Sequence, residues 1–226
     1  MSELVNHQRH AHDTAAQRVA YLAAEDLKLA ASLLYQAYHD DALFMQLFGA
    51  HEQSVETYEK RLRATIREDL NAFWQAGQAM IGVFAGEQLL GVACVTQPGE
   101  SFGPGRYWHW RLKMLLTAGY VSTKQLVDKE AQIQAAIPHQ SYHMLTFIAV
   151  HPQHQHQGLG DLLVQAVNTL MLESETSAGV GVYITRDFYK SLFGRHGFTE
   201  LAQLEVAKVP GAIWFCDRQH AEQDLS

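Results

Sequence analysis

The sequence predicts an α/β fold, a mixed sheet of six to seven strands with helices on both faces. Three observations carry this. Two apolar runs between 79 and 95 read as a hairpin, a strand–loop–helix string occupies 143–173, and helical patterns fall both before and after these strands. Hydrophobic residues make up 47% of the chain, enough for a continuous core. With 226 residues it is long for one domain and short for two. One domain is expected over 18–226, behind a polar, disordered leader at 1–17.

Taken in order, Arg18–Leu22 forms a short first strand. Glu25–His39 is helical, with Leu27, Ala31, Leu34 and Tyr38 at helical spacing. Asp40-Asp41 interrupts it and caps a second short helix reaching Phe48. Ser54–Trp74 is an amphipathic helix with Val55, Tyr58, Leu62, Ile66 and Phe73 on one side. Ala79–Ala85 and Leu89–Val95 flank Gly86-Glu87-Gln88 as an antiparallel hairpin. Gln97–Gly105 is a Gly/Pro loop, and Tyr107–Ala136 is helical in two pieces broken near Gly119. Ser122 and Gln125 have capping-box spacing for the second piece. His143–Val150 is the best strand, followed by a helix over Leu159–Glu173. Val180–Ile184 is a strand and Asp187–His196 a short helix stopped at Gly197. Leu201–Val206 and Ala212–Cys216 are the last strands, around a turn at Val209-Pro210-Gly211.

Charge and composition exclude several classes. Seventeen basic against 24 acidic residues give a net −7, unlike a phosphate-backbone binder. No window holds the roughly 18 apolar residues that span a bilayer, and the first 17 residues have no apolar signal core. The expected location is cytoplasmic, with no membrane and no nucleic acid among the partners. Cys94 and Cys216 both sit in apolar runs and are expected as buried free thiols.

Between the best strand and its helix lies His151-Pro-Gln-His-Gln-His-Gln-Gly-Leu-Gly160. A helix N-terminus offers unpaired N–H groups and partial positive charge, which suit a phosphate. Glycines at 158 and 160 allow close backbone approach. The third glycine of the dinucleotide fingerprint is missing, and no Gly-Lys-Ser/Thr occurs.

The longer string is more specific. Leu145-Thr-Phe-Ile-Ala-Val-His-Pro152, then Gln155-x-x-Gly158-x-Gly160 and an apolar helix, resembles the acyl-CoA motif of GNAT acetyltransferases. Val182-Tyr-Ile-Thr followed by Phe188-Tyr-Lys-Ser-Leu-Phe-Gly-Arg-His-Gly-Phe198 resembles that superfamily's closing strand and helix. Within that superfamily the strings most resemble the branch of puromycin N-acetyltransferase-like proteins. The resemblance spans roughly Tyr142–Phe198. It implies a splayed GNAT-like sheet holding acetyl-CoA, or another short acyl-CoA, as co-substrate. It implies that backbone groups of Ile148, Ala149 and Val150 pair with pantetheine. It further implies that the amides of Gln155, His156, Gln157, Gly158, Leu159, Gly160 and Asp161 hold the pyrophosphate. The sequence departs from the family pattern at His156, where a glycine is usual, at Gln157, where a Lys or Arg is usual, and at Phe193, where a tyrosine is frequent.

The implied reaction moves an acetyl group directly onto an amine in a ternary complex, the acceptor being a small molecule. Such transfer rests on positioning and preorganised backbone dipoles. By resemblance the Val150 N–H is the oxyanion donor. Tyr189 is the candidate acid and cofactor contact, because Phe193 one turn on has no proton to give. Aromatic residues Phe44 and Trp108 are candidates for the acceptor pocket. The histidines at 151, 154 and 156 invite a metal reading. The same spacing recurs at 7, 10 and 12, and no Cys or carboxylate set completes a site, so no metal is expected. Two alternatives stay open, a non-catalytic acyl-CoA-binding module and a protein N-acetyltransferase. A homodimer is also left open.

Overall fold

The computed structural model describes residues 17–98, 114 and 119–224. Strand β1 (Gln17–Tyr21) leads through a 3-10 turn at Ala24–Asp26 into α1 (Leu27–Tyr38). Helix α2 (Ala42–Leu47) begins at Asp41, whose carboxylate accepts from the amides of Leu43 and Phe44, so the Asp-Asp break is a true N-cap. Helix α3 (Val55–Gln75) is capped in the same way by Ser54. The hairpin follows as β2 (Ala79–Ala85) and β3 (Gln88–Thr96). Then come α4 (Tyr120–Ala136), β4 (His143–Val150), α5 (Leu159–Glu173), β5 (Gly179–Ile184), α6 (Lys190–Arg195), β6 (Thr199–Val206), β7 (Val209–Asp217) and α7 (Arg218–Asp224).

The seven strands form one sheet in the order β1-β2-β3-β4-β5-β7-β6. Neighbours are antiparallel except β4 and β5, which run parallel with α5 as the crossover between them. One face of the β1–β4 half packs Phe84, Leu89, Val92 and Cys94 against α1, α2 and α3. The other face packs Ile81, Val83, Ala93 and Val95 against Leu163, Val164 and Val167 of α5. Helix α4 covers the far half through Ile133 and Ile137 on Ile213 and Phe215.

Strand β4 carries a bulge that matters for the site. Leu145 pairs with Val95 and Phe147 with Cys94, so Thr146 is an extra residue. The bulge reverses the alternation. Leu145 enters the α5-side core, whereas Phe147 and Ala149 enter the core under α1 and α3.

Three local expectations change. The last hairpin turns at Ala207-Lys208, both with positive φ, and Val209-Pro210-Gly211 lies within β7. Pro210 is tolerated because its missing N–H points away from β6, at a level where β5 has already ended opposite Ala212. The Ser122–Gln125 box does not cap α4. The helix starts at Tyr120, and Ser122 Oγ instead donates to the Leu47 carbonyl at 2.5 Å. Helix α7 has no counterpart in the sequence reading, being too short and polar for a periodic signal. Apart from Met114, which is helical and buried, the first helical piece of Tyr107–Ala136 lies outside the described residues, as does Trp108. Both cysteines are buried and neither forms a disulfide. Among the described residues no helix is long and apolar enough to cross a membrane.

Candidate active site

The parallel pair β4–β5 is hydrogen-bonded only at His143↔Val180, Met144↔Gly181 and Leu145↔Val182. Beyond this the strands part. Tyr183 and Ile184 stay with β7, and β4 stays with β3 from Phe147 to Val150. A fork opens at the Thr146 bulge, with the β4 edge from there to Val150 unpaired by β5.

Backbone parity decides which groups face the fork. His151 N–H donates to the Leu90 carbonyl on β3 at 2.7 Å, so Ala149, two residues earlier, also faces β3. Ile148 and Val150 therefore present their N–H and C=O to the fork. Of the expected trio, Ile148 and Val150 face the fork, and Ala149 faces β3 with its methyl buried. At Ile148 the edge is met by a side chain. Tyr38 Oη donates to the Ile148 carbonyl at 3.1 Å and accepts from its amide at 3.2 Å. Edge contacts to Phe44 and Phe147 hold the Tyr38 ring.

From Val150 the chain runs through a 3-10 turn, Pro152–His154, to the start of α5. Gln155, His156, Gln157 and Gly158 are exposed, and Leu159 is buried. Gly158 is the N-cap in the left-handed region, with φ +80°, and no side chain caps the helix. The first helical bond is Leu162 N–H to the Gly158 carbonyl at 3.0 Å, so the amides of Leu159, Gly160 and Asp161 have no carbonyl one turn back. Gly160 has a different task. A Cβ there would sit 3.3 Å from Leu192 Cδ2, so this glycine lets α6 approach α5. Among the described residues no three His, Cys, Asp or Glu side chains are placed to hold a metal ion.

Asp161 turns its carboxylate toward α6, where Arg195 Nη2 and His196 Nε2 each lie 3.0 Å from Oδ1. Burial pushes this carboxyl up, but the hydrogen bonds from Arg195 and His196 outweigh it and hold it below the usual range. The acidic charge at the α5 N-terminus is thus neutralised beside the exposed loop. Tyr189 ends the 3-10 turn Asp187–Tyr189 and packs against the α5-side core, as does the fully buried Phe193. Burial raises the Tyr189 phenol above its ordinary value, opposed by Arg186 and assisted by Asp41 and Asp40. Burial likewise raises Tyr38, opposed by its bond to Ile148, and Tyr189 is an electrostatic neighbour. The two phenols belong to opposite sides of the sheet, Tyr38 packing with the α1-side core and Tyr189 with the α5-side core.

On the α1–α2 side the fork opens into a cavity of about 60 Å³, lined by Tyr38, Asp41, Phe44, Glu130, Thr146 and Thr185 among others. Asp41 ties its mouth together. Besides capping α2, it accepts from Thr185 Oγ1 at 2.9 Å, while Arg186 pairs with Asp40 at 2.9 Å. Phe44 lines this cavity; Trp108 is outside the described residues. Tyr38, Asp41 and Thr185 were not singled out as site residues. The only signal for Asp41 was its capping position, and Tyr38 read as one more apolar-face residue of α1.

Residues 117–200 match the family described as "Acetyltransferase (GNAT) domain". Comparison with curated protein sequences gave no match. The architecture is similar to a Corynebacterium glutamicum protein described as histone acetyltransferase HPA2 and related acetyltransferase, at TM-score 0.66 and 14% identity, covering 89% of this chain and 96% of that one. It is also similar to the PaiA N-acetyltransferase of Thermoplasma acidophilum in complex with coenzyme A, at TM-score 0.54 and 14% identity, covering 89% and 99% of the two chains. A mosquito arylalkylamine N-acetyltransferase like 5b aligns at TM-score 0.54 and 14% identity, over 88% and 99%. The fold is that of the GNAT acetyltransferases.

Proposed function

We propose that the chain is an acyl-CoA-dependent N-acyltransferase that moves an acetyl group from acetyl-CoA to an amine of a small molecule. One observation carries the reading, a forked parallel strand pair that joins an uncapped helix N-terminus to a cavity. The Ile148 and Val150 backbone groups suit a peptide-like arm added as a short strand. The amides from Gln155 to Asp161 suit a pyrophosphate, with Arg195 compensating the one acidic side chain among them. Acyl-CoA, when bound, supplies an activated thioester.

The chain's own residues then have separate tasks. The Val150 or Ile148 N–H is aimed into the fork, where a thioester oxygen gains charge. Asp41, Thr185 and Phe44 shape the opposite side, where a neutral amine would wait. Tyr189 keeps its proton at neutral pH and offers it toward the leaving sulfur. The acidic net charge and the Asp41, Phe44 and Thr185 lining suit a small amine, and the motif strings favour the puromycin N-acetyltransferase-like branch.

The test is turnover of acetyl-CoA with a panel of small primary amines, arylalkylamines and aminoglycosides included, beside peptide and folded-protein acceptors. Free thiol should appear only with amines, and mass spectrometry should show the acetylated amine. Binding of acetyl-CoA without turnover of any acceptor would favour a non-catalytic module. Activity confined to long peptides or folded proteins would overturn the small-molecule assignment.

A further inference from the structure

We propose that Tyr38 is a positioning residue that stands in for the co-substrate. In the free protein its hydroxyl occupies the fork-facing N–H and C=O of Ile148, and the acyl-pantetheine arm displaces it on binding. This rests on the acyltransferase reading above.

The need for such a stand-in follows from the fork itself. Where β4 leaves β5, its edge loses backbone partners, and a half-buried unpaired N–H or C=O is costly. A third strand cannot fill the edge without closing the groove. A phenol can satisfy it, because one oxygen donates its single hydrogen and still accepts through a lone pair. Tyr38 does both on the same residue, at 3.1 and 3.2 Å. An acyl-pantetheine arm offers the same complement, acceptor oxygens and amide N–H donors, so the exchange conserves hydrogen bonds.

Placement favours exchange rather than permanent blockage. Tyr38 is the last residue of α1, and the next residues lead into the Asp41 corner that the Thr185 bond fixes to the chain just past β5. Its ring also lines the cavity, so the displaced hydroxyl has a polar space beside it, next to Asp41 and Thr146. Part of the co-substrate's binding energy is therefore spent on moving Tyr38. In return Ile148 stays aligned while the groove is empty.

The sign of the expected effect is unusual. Tyr38→Phe keeps the ring and its contacts with Phe44 and Phe147, and removes only the competing hydroxyl. By calorimetry acetyl-CoA should bind this variant roughly fivefold more tightly, the equivalent of one ordinary net hydrogen bond. Its melting temperature should fall without ligand and meet the wild-type value at saturating acetyl-CoA. Equal or weaker binding by a folded Tyr38→Phe protein overturns the proposal, since a merely structural tyrosine gives no tightening. A wild-type protein that binds no acetyl-CoA overturns the function and this inference together. Wild-type binding without tightening in the variant overturns this inference alone.

Discussion

Replacing Gly158 tests the co-substrate loop through backbone geometry alone. The residue caps α5 with φ +80°, and a Cβ built there meets no heavy atom within 4 Å. Packing therefore contributes nothing to the cost. An L-residue held in the left-handed region costs about 1–2 kcal/mol, and a β-branched one costs more. For a chain of this size that corresponds to a melting temperature lowered by about 2–8 °C. Gly158→Val either keeps the strained turn or relaxes it. Relaxation turns the amides of Leu159, Gly160 and Asp161 away from a common focus. Retention puts a branched side chain on the open surface that a pyrophosphate must approach.

Both routes weaken acetyl-CoA, by at least tenfold or about 1.4 kcal/mol. Gly158→Asn, which accepts the left-handed region more readily, should lose less. Isothermal calorimetry reads the affinities, and circular dichroism checks that each variant is folded. Unchanged affinity in a folded Gly158→Val protein would put the co-substrate elsewhere and refute the loop assignment.

Tyr189→Phe should lower the maximal rate more than threefold with acetyl-CoA affinity retained, and a smaller loss would remove Tyr189 as the acid. Because burial raises that phenol above about 10, no inflection in the pH–rate profile below pH 9 should belong to Tyr189. An inflection there that vanishes in Tyr189→Phe would contradict this. A third expectation concerns stability. His143 is buried beside Ser177 Oγ, 2.8 Å from Nδ1, and desolvation lowers its pKa to about 4. The unfolded chain binds the proton first, so stability present above pH 6.5 is lost as pH falls toward 4. Roughly 2 kcal/mol should disappear between pH 7 and 5 from this group. Urea titrations of wild type and His143→Phe at both pH values measure it, and an identical acid loss in the variant would refute the assignment.

The elements that could be read from the sequence are those whose signal is local. His143–Val150 and Leu159–Glu173 have the expected bounds, because an apolar run, a His-Pro stop and a glycine N-cap each act within a few residues. The Pro-Gly pair in β7 misled for the opposite reason. Its tolerance depends on where β5 ends, which is a property of the sheet and not of the dipeptide. The backbone geometry of the 155–161 loop is local in the same sense, resting on consecutive amides and one left-handed glycine.

The other half of the site was not legible, because long-range contacts assemble it. Tyr38 meets Ile148 across 110 residues, and Asp41 meets Thr185 across 144. On the sequence both are ordinary: Tyr38 continues an apolar helix face, and Asp41 caps a short helix. Their meaning comes from the Thr146 bulge, which parts β4 from β5 and leaves an edge that something must satisfy. The bulge also moves Phe147 to the α1 side, against the Tyr38 ring. One extra residue in a strand thus opens the groove, supplies its backbone donors and seats the side chain that guards them.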